Sequence, residues 1–280
     1  MKKISRRSFL AAAGLTVAAL ALTACGGSAS TASSAAASSV AASSEAASTS
    51  AAAAELTTVE AGKLTMATNA TFPPYEMTTD AGTIEGIDVD TAQAIAEKLG
   101  LELQIDDMDF DAALLSVQQG KADIVMAGVT VTDERKAVMD FSDSYATGIQ
   151  SIIVPEGSDI ASPDDLAGKK IGTQRGTTGY IYCSDDFGDD AVVAYDNGLT
   201  AVQALNNGQV DAVVIDNAPA KEYVAANPGL AILDTSYAEE DYAIGMAKGS
   251  SLEAAVNAAL EELKADGTLQ AIVDKYITAE

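Results

Sequence analysis

Residues 118–125 read QQGKADIV, and residues 206–213 read NNGQVDAV. In each stretch an amide pair and a glycine, which commonly end a helix, precede an aspartate and the start of an apolar strand. This repeat of a helix end followed by a strand predicts two halves of like architecture. A chance match is the alternative, since glycine is frequent at helix ends.

Segments with strand and helix patterns alternate on both sides of these two stretches. Predicted strands cover residues 63–69, 101–106, 123–129, 169–174, 191–195 and 211–216. Predicted helices cover residues 89–99, 110–119, 177–183, 199–207, 218–226, 252–264 and 269–276. Strands that alternate with helices of this length indicate βαβ units. The sequence therefore predicts an α/β fold in which each half is a mainly parallel sheet flanked by helices.

The composition excludes several kinds of site. The chain contains no histidine, which removes His-based catalysis and His-ligated zinc, and its two cysteines are too few for a zinc or iron–sulfur cage. The formal net charge of −25 opposes binding to nucleic acid. Gly172, Gly176 and Gly179 do not have the spacing of a nucleotide-binding loop. We expect no metal, no cofactor and no nucleic-acid partner.

The first 25 residues have the pattern of an export signal. Basic residues lie within residues 2–7, residues 9–22 are apolar, and LTAC follows at residues 22–25. This order is typical of a secretory signal rather than a membrane-spanning helix. The LTAC segment resembles the lipobox of bacterial lipoproteins, which implies that residues 1–24 are a signal peptide and that Cys25 carries a lipid. The SRRSFL segment also resembles a twin-arginine signal, so that route and the general secretory route both stay open.

Residues 25–57 predict a tether between the lipid and the folded part of the chain. From residue 28 to residue 54 every residue is Ala, Ser or Thr except Val40 and Glu45. Such a segment has too little large apolar surface to offset the entropy lost on ordering, although a weak Ala-rich helix is the alternative. We therefore expect the protein at the outer face of the cytoplasmic membrane, anchored by its lipid.

Polar and aromatic residues follow the predicted strands at their carboxyl ends, which is where open α/β sheets bind ligands. Arg135 places a cation in the first turn of a helix that Thr132 caps, against the helix dipole. A guanidinium there can hold a carboxylate through two parallel hydrogen bonds. Thr177 and Thr178 open a helix whose free N–H groups suit an anion. The candidate ligand-binding residues are Asn69, Phe72, Phe110, Gly128, Thr130, Arg135, Gln174, Thr177, Thr178 and Asp216.

Several of these candidates also have a purely structural explanation. Arg135 can form a surface ion pair. Thr177 and Asp216 can cap the helices that begin beside them, and Phe72 and Phe110 can belong to the core. The candidates nonetheless come from both halves of the chain and sit at strand ends, a distribution that describes a cleft between two lobes.

Motifs along the chain have a recognisable order: FPPYE at residues 72–76, GIDVD at 86–90, AGVTVTDER at 127–135, FS at 141–142 and DGT at 266–268. In this order they resemble the polar amino-acid-binding proteins of ABC importers, which are family 3 extracellular solute-binding proteins. The resemblance covers residues 62–280. It implies a two-lobed periplasmic-binding-protein fold joined by two crossing strands. We place the first lobe at residues 58–148 plus 244–280, and the second at residues 149–243.

The resemblance also implies how the α-groups of a bound amino acid are held. By position in the motifs, Arg135 holds the α-carboxylate, with help from Thr130 and from the backbone amide of Thr178. Asp216 holds the α-ammonium group, and Gly128 adds a backbone carbonyl. The expected partners are one free polar amino acid and an ABC permease, and we expect the protein itself to be a monomer.

The side chain of the ligand is expected to lie between Phe72 and Phe110, with Asn69 and Gln174 at its tip. Amides at the tip favour a polar, uncharged side chain, and glutamine is the first choice. Arginine and lysine are the main alternative, because the strongly acidic protein attracts cations. Asn69 weakens that alternative, since relatives that bind basic amino acids often have Asp at this position.

An enzyme on the same fold is the competing hypothesis. Cyclohexadienyl dehydratases share the implied architecture, but they need an acid or a base in the cleft. Glu76 is the one obvious candidate near the first loop, and the sequence predicts that it is an ordinary surface acid. We therefore expect a carrier with no catalytic residues. Cys183 is expected to be a small helix-packing residue.

Overall fold

The computed structural model describes residues 56–277. The predicted signal peptide, the predicted lipidation site Cys25 and residues 25–55 of the predicted tether lie outside the described residues. Across residues 56–277, no helix combines the length and the apolar character that crossing a membrane requires.

Strands and helices alternate along most of the described chain, as the sequence predicts. The strands are β1 (Lys63–Thr68), β2 (Thr71–Phe72), β3 (Glu76–Thr78), β4 (Ile84–Glu85), β5 (Glu102–Asp107), β6 (Ile124–Val125), β7 (Met139–Phe141), β8 (Ala146–Pro155), β9 (Ile171–Gln174), β10 (Val192–Tyr195), β11 (Ala212–Asp216), β12 (Leu230–Ile232), β13 (Ala238–Tyr242) and β14 (Gly245–Ala247). The α-helices are α1 (Ile87–Leu99), α2 (Phe110–Gln118), α3 (Asp133–Val138), α4 (Thr178–Phe187), α5 (Gly198–Asn206), α6 (Asn217–Ala226), α7 (Glu253–Ala265) and α8 (Thr268–Tyr276).

The first sheet has the strand order β5-β1-β6-β14-β7. Strand β1 pairs in parallel with β5 and β6, whereas β14 runs antiparallel to β6 and β7. Leu64 and Met66 of β1 belong to a core that includes residues of α1, α7 and α8, and Ala67 belongs to a core with α2. Because side chains alternate along a strand, β1 buries both faces of its sheet under helices.

The second sheet has the order β10-β9-β11-β8-β12, and β13 also pairs with β8. Strands β9, β10 and β11 are parallel, and β8 is antiparallel to its neighbours. Val213 and Ile215 of β11 pack with α5 and α6, whereas Val214 packs with Cys183 of α4. Cys183 is therefore the predicted helix-packing residue, and burial raises the pKa of its thiol to about 12.

The chain passes between the two sheets twice. It leaves the first sheet after β7 and enters the second with β8, and it returns between the end of β13 and the start of β14. Strands β8 and β13 pair antiparallel, with Ala146 opposite Tyr242. We call the part built on the first sheet the first lobe and the other part the second lobe. The predicted two-lobed α/β fold is confirmed, while the residue limits of the lobes stay a prediction.

The predicted strand at residues 123–129 is wrong in length, because β6 contains only Ile124 and Val125. Gly128 has a positive φ of 56°, a conformation that glycine adopts readily and that takes the backbone out of the extended ladder. The sequence also did not predict the small sheet of β2, β3 and β4. Strands of two or three residues are too short to show a period in hydrophobicity.

Candidate functional site

One cavity lies between the two lobes, and both lobes contribute to its walls. The space between its walls, including the part that is open to solvent, is about 440 Å³. All of the ligand-binding residues predicted from the sequence line it, namely Asn69, Phe72, Phe110, Gly128, Thr130, Arg135, Gln174, Thr177, Thr178 and Asp216. The residues Ala127, Gln150, Val214, Ile215 and Tyr242 line it as well. We call this cavity the cleft.

Aromatic rings form the first-lobe wall of the cleft. The ring of Phe72 stacks on that of Tyr75, with 5.7 Å between the centroids. A Cβ at Gly128 would lie 2.8 Å from Cε1 of Phe72, so this close approach requires glycine. Phe110, at the start of α2, lines the cleft and also belongs to the core beneath that helix. For Phe110 the structure therefore shows both the cleft position and the core packing that the sequence left open.

The guanidinium of Arg135 is buried in the cleft. Arg135 is only 8% exposed, so the surface ion pair considered from the sequence is wrong. Its Nη1 donates to the carbonyl of Thr130 at 2.7 Å, and its Nη2 donates to the carbonyl of Gly176, in the second lobe, at 3.1 Å. Its Cζ lies 5.4 Å from the centroid of the Phe110 ring. Burial lowers the pKa of Arg135, but a guanidinium stays charged in proteins.

Asp216 ends β11 and caps α6. It is 2% exposed, its Oδ1 accepts from the N–H of Ala218 at 2.9 Å, and its Oδ2 accepts from the N–H of Ile149 at 2.8 Å. Burial raises the pKa of Asp216 to about 6, and hydrogen bonds from these two backbone amides and from Tyr242 oppose that rise. The helix cap is thus confirmed, and the same carboxylate faces the cleft.

The N-terminus of α4 forms another part of the second-lobe wall. Thr177 caps the helix, because its hydroxyl oxygen accepts from the N–H of Tyr180 at 3.3 Å. The hydroxyl also donates to the carbonyl of Gln174 at 2.8 Å. The capping role that the sequence allowed for Thr177 is therefore confirmed, and the residue lies in the cleft all the same.

Glu240, on the crossing strand β13, lies behind the threonines of the cleft. Its Oε2 accepts from the hydroxyls of Thr130 and Thr178, both at 3.0 Å, and from Nε2 of Gln150 at 2.9 Å. Glu240 is buried, and its carboxylate joins the first lobe to the second. This role could not be predicted, because Glu240 stands in an acidic run beside the exposed Glu239 and Asp241.

Side-chain amides meet at another side of the cleft. Nε2 of Gln174 donates to Oδ1 of Asn69 at 2.9 Å, which links the second lobe to the first. Nδ2 of Asn69 donates to the carbonyl of Met108 at 2.9 Å. A further link lies nearby, where the hydroxyl of Tyr223 donates to the carbonyl of Thr71 at 2.5 Å. Asn69 and Gln174, which the sequence places at the tip of the ligand side chain, thus form a hydrogen-bonded pair in which the orientation of both amides is fixed.

The remaining lining residues were missed for different reasons. Val214 and Ile215 precede Asp216 in β11, and their apolar character alone indicates a core strand. Gln150 and Tyr242 lie on the crossing strands, whose pairing depends on the tertiary fold. Glu76, which the sequence assigned to the surface, is fully buried, so that expectation is wrong. A carboxylate in an isolated sequence gives no sign of burial, since Glu is mostly exposed in proteins.

The charges of the cleft suit a small zwitterion. Arg135 supplies a cation from the first lobe, Asp216 supplies a carboxylate from the second, and two phenylalanine rings supply apolar surface. Arg175, the neighbour of Gln174, instead lies at the surface with its Nη2 3.6 Å from Asp196. Within residues 56–277, no group of three or more Cys, Asp or Glu side chains is placed to hold a metal ion.

Residues 64–279 match the family of bacterial extracellular solute-binding proteins, family 3. The chain belongs to this family. Membership in a family of solute-binding proteins confirms the expectation of a carrier and not an enzyme.

Several amino-acid-binding proteins are similar over most of the described chain. A probable histidine-binding protein from Neisseria gonorrhoeae is 35% identical over 222 residues, which covers 77% of this chain and 83% of that one. The structure of an ancestral arginine-binding protein bound to glutamine is 43% identical, covers 78% of this chain and 99% of that one, and has a TM-score of 0.74. An ancestral arginine-binding protein bound to arginine is 44% identical, covers 77% and 98%, and has a TM-score of 0.73.

Proposed function

We propose that this solute-binding protein captures one polar L-amino acid in the cleft and delivers it to the permease of an ABC importer. The observation that carries the proposal is a buried guanidinium from the first lobe and a buried carboxylate from the second, both lining one cavity. A free amino acid carries the complementary pair of charges on one carbon atom. The similar proteins, which are named for histidine or arginine binding and one of which is bound to glutamine, support this class of ligand.

In this proposal Arg135 holds the α-carboxylate. A guanidinium has five N–H donors, and Arg135 uses two of them on the carbonyls of Thr130 and Gly176, so three remain for a ligand. Thr130 and Thr178 assist through their backbone amides, because both hydroxyl hydrogens are donated to Glu240. The N-terminus of α4 adds its favourable dipole to the same anion.

Asp216 holds the α-ammonium group, with the carbonyl of Gly128 beside it. The carboxylate of Asp216 accepts from two backbone N–H groups and from the hydroxyl of Tyr242, which leaves one of its four lone-pair sites for another donor. The two backbone bonds fix the carboxylate in place before a ligand arrives, which reduces the entropy lost on binding.

We favour glutamine as the ligand, with arginine and lysine next. Among the described residues that line the cleft, Asp216 is the only carboxylate, and it is assigned to the α-ammonium group. A second cation at the tip of the ligand would therefore lose its hydration without a counter-charge. A neutral amide can instead exchange hydrogen bonds with the Asn69–Gln174 pair.

Calorimetric titration with glutamine, arginine, lysine and glutamate tests both the proposed class of ligand and the choice of glutamine within it. We expect one-to-one binding of glutamine, and stabilisation of about 4 kcal/mol when glutamine is present at 1,000 times its Kd. An arginine preference above tenfold overturns the choice of glutamine and leaves the transport function in place. A thermal-shift screen of the twenty amino acids tests the function itself. If none of them raises the melting temperature, the proposed function is wrong.

We also propose that a lipid on Cys25 anchors the protein outside the cytoplasmic membrane after removal of residues 1–24. Residues 25–57 then tether a monomer whose lobes are residues 58–148 plus 244–280 and residues 149–243. Cys25→Ser should move the protein from the detergent phase to the aqueous phase in detergent partitioning, whereas Cys183→Ser should leave it with the detergent. A Cys25→Ser variant that stays in the detergent phase contradicts the anchor.

A further inference from the structure

Two carboxyl groups are buried side by side behind the Gly128 segment of the cleft. Glu76 of β3 and Asp88 of α1 are both 0% exposed. Gly86 brings them together, because it has a φ of 142° and a Cβ at this position would overlap the carbonyl oxygen of Tyr75. The first turn of α1 therefore lies directly against the start of β3, and the N–H of Asp88 donates to the Tyr75 carbonyl at 2.9 Å.

The two carboxyl groups have different partners. Oδ2 of Asp88 accepts from the N–H of Gly128 at 3.0 Å, whereas Oδ1 of Asp88 and the nearby buried hydroxyl of Tyr145 have no hydrogen-bond partner among the described residues. Asp88 also stands in the first turn of α1, where the helix dipole favours an anion. By contrast, no N–H group of the described residues donates to either oxygen of Glu76, and its neighbour is the carboxyl group of Asp88.

No lysine or arginine within residues 56–277 compensates the charge of this pair. The titratable groups that face Glu76 are Asp88 on α1, Asp107 at the end of β5, Tyr145 before β8, the adjacent Tyr75 and Tyr223 on α6. Two adjacent buried carboxyl groups without a cation cannot both ionise. Burial raises the pKa of Glu76 well above its ordinary range, and the nearby Asp88 raises it further. For Asp88, the N–H of Gly128 opposes the rise caused by burial.

We propose that Glu76 is a protonated positioning residue, which donates its carboxyl hydrogen to Asp88 so that anionic Asp88 holds the N–H of Gly128. The proposal rests on the proposed function in one respect: Gly128 lines the cleft, so Asp88 fixes the backbone that would accept the α-ammonium group. The hydroxyl of Tyr145, just before the crossing strand β8, is buried beside the same pair.

Replacement of Glu76 by an amide tests the protonation state. Glutamine donates an N–H where the protonated acid donates an O–H, so Glu76→Gln should keep the hydrogen bond to Asp88. Wild type, with Glu at position 76, loses stability against unfolding as the pH rises from about 4.3, the usual pKa of Glu, toward the raised pKa in the folded protein. The reason is that in this pH range the folded protein keeps the proton on Glu76, whereas the unfolded chain releases it. Glu76→Gln has no such loss. The melting temperature of Glu76→Gln relative to wild type should therefore increase between pH 5 and pH 8, while Glu102→Gln, an exposed control on β5, should show no such trend.

Infrared spectra and a second substitution separate the donor role from packing. Wild type at pH 7 should show the carbonyl band of a buried, protonated carboxylic acid, which disappears in Glu76→Gln and persists in Glu102→Gln. Glu76→Met has a similar volume but no donor. We expect it to weaken binding of glutamine or arginine by about tenfold, whereas Glu76→Gln stays within threefold of wild type.

Each outcome either supports or overturns the proposal. Absence of the protonated-acid band, a melting difference between Glu76→Gln and wild type that does not change from pH 5 to pH 8, or equal effects of Gln and Met on binding would overturn it. The infrared and melting measurements need no ligand. They therefore remain decisive for Glu76 even if no amino acid binds, and a failure of the ligand assignment would be seen separately in the titrations.

Discussion

The two lobes present their cleft residues by different physical means. In the first lobe, Arg135 is held by a carbonyl of its own loop and by the face of the Phe110 ring, and Phe72 is stacked on Tyr75. In the second lobe, the cleft residues sit at the starts of α4 and α6, where backbone amides bind Thr177 and Asp216. The first wall is therefore fixed by ring packing and by carbonyl acceptors, and the second by backbone N–H donors at helix ends.

This difference teaches that a helix cap and a ligand contact do not exclude each other. Asp216 has both oxygens bonded to backbone N–H groups and still lines the cleft. The positive end of α6 keeps its carboxylate oriented. Arg135, on the first-lobe side, has no such support from a helix end. Its position depends on its planar guanidinium, which lies between the carbonyls of Thr130 and Gly176 and the ring of Phe110.

Arg135→Lys tests the first wall and should have the largest effect. An ammonium group cannot reproduce the parallel hydrogen bonds of a guanidinium to a carboxylate, nor span the carbonyls of Thr130 and Gly176. We expect the Kd for glutamine to rise about 30-fold or more by calorimetry, the usual result of disrupting a desolvated charge pair. Arg175→Lys, at the surface of the second lobe, is the control and should bind like wild type. An Arg135→Lys variant within threefold of wild type would mean that the first wall does not hold the carboxylate.

The pH dependence of binding tests the second wall. The pKa of Asp216 is raised to about 6, and the ligand ammonium requires the charged carboxylate. Affinity should be constant above pH 7 and should fall about tenfold between pH 7 and pH 5, as Asp216 takes up a proton. Asp216→Asn should bind weakly at every pH and lack this titration. Asp211→Asn, at an exposed position just before the start of the same strand, should keep both the affinity and the pH profile of wild type.

Glu240→Gln tests the contact behind both walls and should have the smallest effect. The amide keeps one acceptor oxygen for Thr130, Thr178 and Gln150, but it loses the charge that strengthens these bonds. We expect a loss of about 1 kcal/mol in the free energy of unfolding, seen as a melting temperature lower by about 2–4 °C. Glu239→Gln, the exposed neighbour, should melt with wild type. Equal melting of the two variants would show that Glu240 does not join the walls.

The sequence predicted the lobes and most of the cleft because both depend on local patterns. Alternation of strands and helices predicted the sheets, and the rule that ligands bind at strand ends led to Arg135, Gln174 and Asp216. Glu240 and Tyr242 could not be found in this way, because the pairing of the distant β8 and β13 places them. Glu76 was assigned wrongly for a related reason. Its burial depends on the turn at Gly86, which brings a helix from ten residues further along the chain against it.

The position of β14 has a consequence for the order in which the molecule can fold. This strand lies in the middle of the first sheet, between β6 and β7, although it comes from near the end of the chain. The second sheet is formed by one continuous stretch, so its contacts require shorter loop closures. The first sheet cannot be completed until residues 245–247 are available, and its contact order is correspondingly high. We therefore expect the second lobe to fold first and the ligand-binding cleft to form only when the last part of the chain has joined.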